Sequence, residues 1–308
     1  MPDIVISEFM DEAVVREAFA GRDVLYDPTL VDRPADLAAA LVDARAVIVR
    51  NRTRVNDALL AAAPQLRAVG RLGVGLDNID LDACRARGVA VFPATGANDT
   101  SVAEYVITAM LILLRRAWFA TPDVIAGKWP RMALIGGEAS GRTLGLIGLG
   151  AIARETATRA AALGMRVTAA DPLLAADHPA WKLATRVDLD TLIAHSDVIS
   201  LHVPLTPQTR NMIDSGRIAS MRRGTVLINA ARGGVVDEQA VSAALRAGQL
   251  GGAALDVFEK EPLDAAAASH FAATPNLLLT PHIAGVTEES NVRVSAVTAQ
   301  SVLRHLMT

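Results

Sequence analysis

The sequence predicts an α/β protein of two lobes, each a doubly wound parallel sheet covered by helices on both faces. Three observations carry that reading. The first 93 residues alternate short apolar runs with helix-like stretches. A second rhythm of the same kind begins near residue 142. A glycine turn, GLIGLGAIAR at 145–154, joins the first apolar run of that second rhythm to its first helix.

In the N-terminal lobe IVI (4–6), VLY (24–26), AVIV (46–49), LRAVG (66–70) and VAVF (89–92) read as strands. Residues 10–20, 35–43, 55–62 and 80–87 read as helices between them. A long helix is expected from about 100, with its cap among Asn98 to Ser101 and Glu104 in the capping-box position for Ser101. It carries the longest apolar run without a charge, YVITAMLILL (105–114), bracketed by Glu104 and by Arg115 and Arg116. That run is far short of the roughly 20 residues that span a bilayer, so a buried helix is expected. In the second lobe TLGLIG, MRVTAAD, DVISL (197–201), TVLIN (225–229), GAALDV (252–257) and LLLT (277–280) read as strands. AIARETATRAAAL reads as a helix ending at Gly164, and 287–307 as the last helix. No low-complexity linker separates the lobes.

Composition bounds the function. A chain of 308 residues can bury a sizeable core in two domains. With 51% hydrophobic residues and a net charge of −3, it lacks the basic surface that nucleic acid or an anionic membrane selects. Cys84 is the only cysteine, which points to a reducing compartment, the cytoplasm. The start, MPDIVISEFM, lacks the basic and long apolar regions of a signal peptide.

The glycine turn reads as Gly148-x-Gly150-x-x-Ala153. Gly148 permits the tight turn, Gly150 lets a pyrophosphate approach the backbone, and Ala153 lets helix and strand pack closely. The phosphates would lie on the helix N-terminus, at Gly150, Ala151 and Ile152. Asp171 stands 21 residues after Gly150 at the end of the next strand, where a carboxylate accepts from an adenosine ribose. No arginine follows it in DPLLAA, so NAD is favoured over NADP. As alternatives, such glycines often serve packing alone, and an aspartate before Pro172 suits a turn.

Three further motifs are NAARGGVVDE (229–238), DVFEKEP (256–262) and LTPHIAG (279–285). With GLIGLGAIAR they resemble the D-isomer-specific 2-hydroxyacid dehydrogenases, which include the D-lactate and 3-phosphoglycerate dehydrogenases. VGRLGVGLDNID, SVAEYV and SLHVPLTPQT extend the resemblance over most of the chain. ISEFM, YDPTLV, VRNRTRV and VGRLGVGLDNIDL resemble the bacterial (S)-sulfolactate dehydrogenase subgroup in particular.

The resemblance implies an enzyme that moves a hydride between NAD and a small 2-hydroxy or 2-keto acid. It assigns the chemistry to Arg232, Glu261 and His282. An imidazole suits proton donation near neutrality, and a carboxylate at one ring nitrogen favours the imidazolium. A planar guanidinium suits a substrate carboxylate and a polarised keto oxygen. By the same resemblance Val102, His202, Val203, Pro204, Thr209, Ala230, Ala231, Asp256, Ala284 and Gly285 join Arg232 and His282 at the NAD site, with Asp256 meeting the nicotinamide amide. Glu259 is left to solvent. His202 is a rival base, and His178, His195, His270 and His305 read as surface.

The N-terminal lobe is expected to supply the other wall of the substrate cleft, with the lobes closing to exclude water. Backbone N–H groups at Val74 and Gly75 and the loop RNRTR (50–54) follow strands on the ligand-binding side of the sheet. Arg50, Arg52, Arg54 and Arg71 make this edge basic, which suits a second anionic group on the substrate or simply a solvated rim. Asn51 and Thr53 are the expected inward pair, with Asn51 and Arg52 as substrate contacts. No metal is expected. The resemblance implies a Rossmann NAD domain (98–282) inserted into a flavodoxin-like substrate domain (1–97 plus 283–308). A homodimer is also expected, for which the long helix from 100 and 117–130, with Trp118 and Trp129, suit the interface, although their aromatic content would fit a core equally well. Two other readings use the same scaffold: an NAD-sensing corepressor-like binding protein, and a formate or phosphite dehydrogenase.

Overall fold

The computed structural model of the chain describes residues 2–116 and 120–307. It divides into two compact units, one ending at Asn98 and resuming at Val286, the other running from Asp99 to Gly285.

The first unit alternates strands β1 (Ile4–Ile6), β2 (Val24–Tyr26), β3 (Ala46–Val49), β4 (Ala68–Arg71) and β5 (Ala90–Pro93) with helices α1 (Glu12–Ala18), α2 (Pro34–Ala40), α3 (Asp57–Ala62) and α4 (Leu81–Ala86). The sheet order is β2-β1-β3-β4-β5 and every pairing is parallel. Winding reverses at β1, so the loop after β3 opens at the switch point where ligands collect in such sheets. β1 and β3 are buried along their whole length, as strands covered on both faces must be. Asp11, Asn56 and Asp80 cap α1, α3 and α4 by accepting from backbone N–H groups. The C-terminal helix, Glu288–Leu306, belongs to this unit and opens with a Thr287–Ser290 capping box. It packs Val294, Ala299, Val302 and Leu306 onto Ile4, Ile6, Ile48 and Ala68.

The second unit begins with α5 (Asp99–Arg115) and α6 (Ala120–Ile125). It continues β6 (Thr143–Ile147), α7 (Ala151–Ala162), β7 (Arg166–Ala170), β8 (Thr185–Arg186), α8 (Leu189–His195), β9 (Val198–Leu201), α9 (Ser215–Ser220), β10 (Thr225–Asn229), α10 (Glu238–Arg246), β11 (Leu250–Leu255) and β12 (Leu277–Leu279). The parallel sheet runs β12-β11-β10-β9-β6-β7-β8, with its switch between β6 and β9. One face is covered by α5 and α7, through residues such as Met110, Leu113, Ala153 and Ala157. The other is covered by α8 to α10, through Leu192, Ile218, Val241 and Leu245. Both units are the doubly wound parallel sheets that the sequence predicts.

Two local expectations change. The helix begins at Asp99, so Ser101 lies inside its first turn, buried, and is not its cap. Glu104 pairs instead with Arg159 of α7, 3.5 Å away. β11 starts at Leu250 and ends at Leu255, which leaves Asp256 just beyond the strand. The early start is possible because Gly251 passes so close to Gly224 that a Cβ would stand 2.3 Å from its carbonyl oxygen. Among the described residues no helix is long and apolar enough to cross a membrane.

Candidate active site

The loops that leave the C-terminal ends of neighbouring parallel strands emerge on one edge of a sheet. In the second unit Gly148 follows β6, Asp171 follows β7 and His202 follows β9. Arg232, Glu261 and His282 follow the adjacent strands β10, β11 and β12. Strand order therefore gathers the candidate residues of this unit along one edge.

The glycine turn has the form a dinucleotide needs. Gly148 sits at φ +90°, and a Cβ there would stand 2.6 Å from the His202 carbonyl oxygen, so only glycine fits. Gly150 is the N-cap of α7, and a Cβ there would point into open space in front of the helix. A side chain would fill the ground a pyrophosphate takes at a helix N-terminus. Ala151 is exposed, Ile152 half-buried, and Ala153 fully buried against the sheet. The Asp171 carboxylate accepts from Leu149 N at 2.9 Å, Leu173 N at 3.0 Å and Leu174 N at 3.2 Å. A carboxylate has about four acceptor positions, so capacity for a ribose hydroxyl remains. Val203 flanks the turn, its Cγ1 lying 3.2 Å from where a Gly148 Cβ would be. Thr209 folds the next loop, donating from Oγ1 to the Pro204 carbonyl at 2.6 Å and accepting from Thr206 N at 2.8 Å. Val102 is buried in the first turn of α5.

Asn229, the buried last residue of β10, was not singled out from sequence. Its side chain accepts from Ala231 N at 3.1 Å and donates to the Arg232 carbonyl at 2.9 Å, wrapping Ala230 to Arg232 around it. An asparagine at a strand end is the available signal. Gly233 then lies on the 256–262 loop, where a Cβ would stand 1.8 Å from the Phe258 carbonyl oxygen. That contact seats the Arg232 loop beside Glu261.

Glu261 uses both oxygens. Oε1 accepts from Phe258 N at 2.9 Å, and Oε2 meets His282 Nδ1 at 2.7 Å. Burial alone would raise its pKa. The bonds from His282 and Phe258, with the charges of His282 and Arg232, hold it below the ordinary glutamate value. Glu259 is exposed and pairs with Arg210 at 3.3 Å, while its N–H donates to Glu238 Oε1 at 2.7 Å. Spacing alone did not separate these two glutamates; the fold gives only Glu261 to His282.

Asp256, only 1% exposed, is the hub of the His282 loop. Oδ1 accepts from Ile283 N at 2.8 Å and Thr280 Oγ1 at 2.6 Å, and Oδ2 from Ala284 N at 2.8 Å. The Asp256 carbonyl accepts from His282 N at 2.8 Å. Burial pushes the Asp256 carboxyl up, partly offset by these donors. His282 holds φ +55°, a left-handed conformation uncommon outside glycine. Ala284 is buried and Gly285 half-buried just beyond it.

The rival His202 bonds Ser200 Oγ through Nε2 at 3.0 Å, and burial pulls its pKa down to about 4. It is a neutral imidazole at pH 7. Of the histidines expected at the surface only His195 is exposed. His178 accepts from Ala180 N at 3.1 Å, His270 packs tilted against Phe271 at 3.9 Å, and His305 packs on Phe92 at 5.3 Å. Among the described residues no group of three or more His, Cys, Asp or Glu is placed to hold a metal ion.

In the first unit the loop after β3 is clasped from beneath. The buried Glu8 carboxylate accepts from the N–H groups of Arg50 (2.8 Å), Asn51 (3.3 Å), Arg52 (3.1 Å) and Thr53 (2.9 Å). Asn78 Nδ2 donates to the carbonyls of Arg50 at 3.3 Å and Thr53 at 2.7 Å. The expected inward pair divides. Thr53 is buried on Ser7 at 3.0 Å, whereas Asn51 is exposed. Alternation along an extended strand suggests a shared face, but four bonds to one carboxylate curl this segment. Arg52 pairs with Asp32, and Arg50 lies over Phe9 and bonds Asn291 at 3.0 Å. Val74 and Gly75 are half-buried after β4.

Residues 107–284, more than half the chain, match the family described as D-isomer specific 2-hydroxyacid dehydrogenase, NAD binding domain. The chain is 55% identical over 307 residues to an (S)-sulfolactate dehydrogenase of Chromohalobacter salexigens, covering 99% of each protein. It is 42% identical over 258 residues to a D-3-phosphoglycerate dehydrogenase of Archaeoglobus fulgidus, covering 84% of this chain but 49% of that one. The chain thus spans about half the length of that relative. The crystal structure of a D-lactate dehydrogenase from Aquifex aeolicus, complexed with NAD and lactic acid, superposes with a TM-score of 0.87 at 30% identity, over 99% of this chain and 95% of that one.

Proposed function

The chain belongs to the D-isomer specific 2-hydroxyacid dehydrogenases, NAD-dependent enzymes acting on the CH–OH group of small 2-hydroxy acids, and we propose that its own substrate carries a second anionic group, as sulfolactate does. The observation that carries the catalytic reading is the Glu261–His282 pair at 2.7 Å beside the Arg232 loop.

The chemistry that NAD would supply, when bound, is hydride transfer from the substrate's C2 and, as NADH, back to it. The Gly148–Ala153 turn and Asp171 would hold its pyrophosphate and ribose, and Ala230, Ala231 and the His282–Gly285 segment its nicotinamide end. In the reducing direction His282 gives a proton to the oxygen that develops negative charge. Glu261 holds Nδ1, which leaves Nε2 as the donating atom. In the oxidising direction the same nitrogen receives the proton. Arg232 binds the substrate carboxylate and draws charge toward the reacting oxygen.

The second anionic group is assigned to the Asn51–Arg52 loop with Val74 and Gly75. The likeness to a sulfolactate dehydrogenase over the whole chain supports this, as does the basic character of the loop that Glu8 shapes. An NADH-oxidation screen over sulfopyruvate, 3-phosphohydroxypyruvate, oxaloacetate, glyoxylate and pyruvate tests it. Sulfopyruvate should exceed pyruvate in kcat/KM by about 100-fold, the ratio that one good charge-assisted contact supports. Equal values for the two would defeat the assignment.

A homodimer and a cytoplasmic setting complete the proposal. Ile125, Trp129, Met132 and Ile135 are 62% exposed or more, an apolar surface that suits a second copy. Trp118 lies outside the described residues. Cys84 is a free, buried thiol, in keeping with a reducing compartment. Light scattering on the purified protein should give twice the 32.3 kDa chain mass.

A further inference from the structure

His282 combines a left-handed backbone with a ring held 2.7 Å from Glu261, and such a conformation persists only where its surroundings enforce it. The enforcing group is Asp256, whose carboxylate takes the N–H groups of Ile283 and Ala284 and the hydroxyl of Thr280. An ionised carboxylate only accepts hydrogen bonds, so the single Thr280 hydroxyl hydrogen points to Asp256. The Tyr105 hydroxyl lies 2.5 Å from the same Thr280 oxygen. With the Thr280 hydrogen committed, Tyr105 must be the donor in that contact. The chain therefore has one sense, from Tyr105 to Thr280 to Asp256, and it ends on the two amides that follow His282.

We propose that Tyr105 is a positioning residue for His282, acting through the Thr280 hydroxyl and the Asp256 carboxylate. The proposal rests on the reading of His282 as the proton donor. Tyr105 stands on α5, 175 residues from Thr280 in sequence, and touches none of the reacting groups assigned above. Burial pushes the Tyr105 phenol up to about 12, with the Thr280 bond working against the shift and the Asp256 charge adding to it. It stays protonated, and stays a donor, throughout the working range of such an enzyme. Removing its hydroxyl frees the Thr280 hydroxyl to rotate. Asp256 then loses an oriented donor, the loop can relax from φ +55°, and the imidazole can draw away from Glu261.

The charged groups facing His282 are Glu261 at Nδ1, Asp256 beneath the loop, and Arg232 beside Glu261. Keto-acid reduction needs the proton that His282 gives. Tyr105→Phe should therefore lower kcat about 10-fold, the scale of a sub-ångström misplacement. KM for the keto acid and the Kd for NADH should stay within twofold of native. Thr280→Val interrupts the same chain at its middle, should split kcat from KM in the same way, and stands in should Tyr105→Phe fail to fold. The double variant should be no worse than the poorer single one, because both remove one chain. A change in thermal stability with native kcat would assign Tyr105 a purely structural role and overturn the proposal. Native kcat in both variants, or a KM that rises as much as kcat falls, would overturn it as well, while turnover lost in His282→Ala would leave the proton-donor reading standing. Turnover that survives His282→Ala would instead remove that reading, and the proposal with it.

Discussion

Gly233 lies against the Phe258 carbonyl, with room for a hydrogen and for nothing larger. The contact joins the loop after β10 to the loop after β11, and so sets Arg232 beside Glu261. Gly233→Ala would place a carbon 1.8 Å from an oxygen, so one loop must move. The expected result is a loss of about 1–3 kcal/mol in stability and a fall in kcat/KM of at least about 100-fold. Thermal melts and steady-state rates on the variant measure both. A native-like melt and rate would mean that the two loops are not held together by this contact.

Glu261 and Glu259 sit two residues apart and have different partners. Glu261→Gln removes the charge beside His282 and should lower kcat for keto-acid reduction by about 100- to 1,000-fold, within the usual range for acid–base groups. Glu259→Gln removes only an exposed pair with Arg210 and should stay within twofold of native. Equal damage from the two substitutions would refute the division between them.

His202 carries a pH dependence of known sign. Its folded pKa, about 4, lies below the ordinary 6.5, so the unfolded chain binds more protons between those values. Stability is therefore lost as pH falls from about 6.5 to about 4, by up to about 1.4 kcal/mol per pH unit from this one group. His202→Gln should flatten the slope of stability against pH in that window, as read by denaturant melts of the NAD-free protein. An unchanged slope would contradict it.

Glu8 is buried against four N–H donors. Burial would raise its pKa, but the N–H groups of Thr53, Arg50 and Arg52 hold it below the ordinary value. Its stabilising contribution is thus present above the unfolded-state pKa and lost as pH falls through the lower folded one. Glu8→Gln turns one acceptor into a donor facing N–H groups. It should cost about 1.5–3 kcal/mol at pH 7 and raise KM for the doubly anionic substrate more than it lowers kcat. A native KM would separate the loop from substrate binding.

Much of the site was legible because local chemistry demands particular residues. Gly148 must be glycine at φ +90°, Gly150 must leave space before α7, and Asp171 must end the next strand. Arg232, Glu261 and His282 stood out through motif resemblance, not through spacing. The residues that support them did not stand out. Asn229, Thr280 and Tyr105 are ordinary residue types in strand-end or helical positions, and their partners lie in other loops or elements. The loop arginines look alike in sequence but differ in place: Arg50 lies over Phe9, and Arg52 pairs with Asp32.

The amino-acid sequence by itself determined two doubly wound α/β units, a dinucleotide turn on the second and, through motif resemblance, the family. Strand rhythm and glycine placement are short-range properties, so they can be read along the chain. Motif resemblance had already chosen Glu261, which the structure places on His282; only the tertiary structure decided that Asp256 holds the His282 loop and that Tyr105 stands at the far end of the same chain of bonds. Those contacts join residues 21 to 175 positions apart. They form because β10, β11 and β12 lie side by side in parallel, with α5 packed across the sheet behind them.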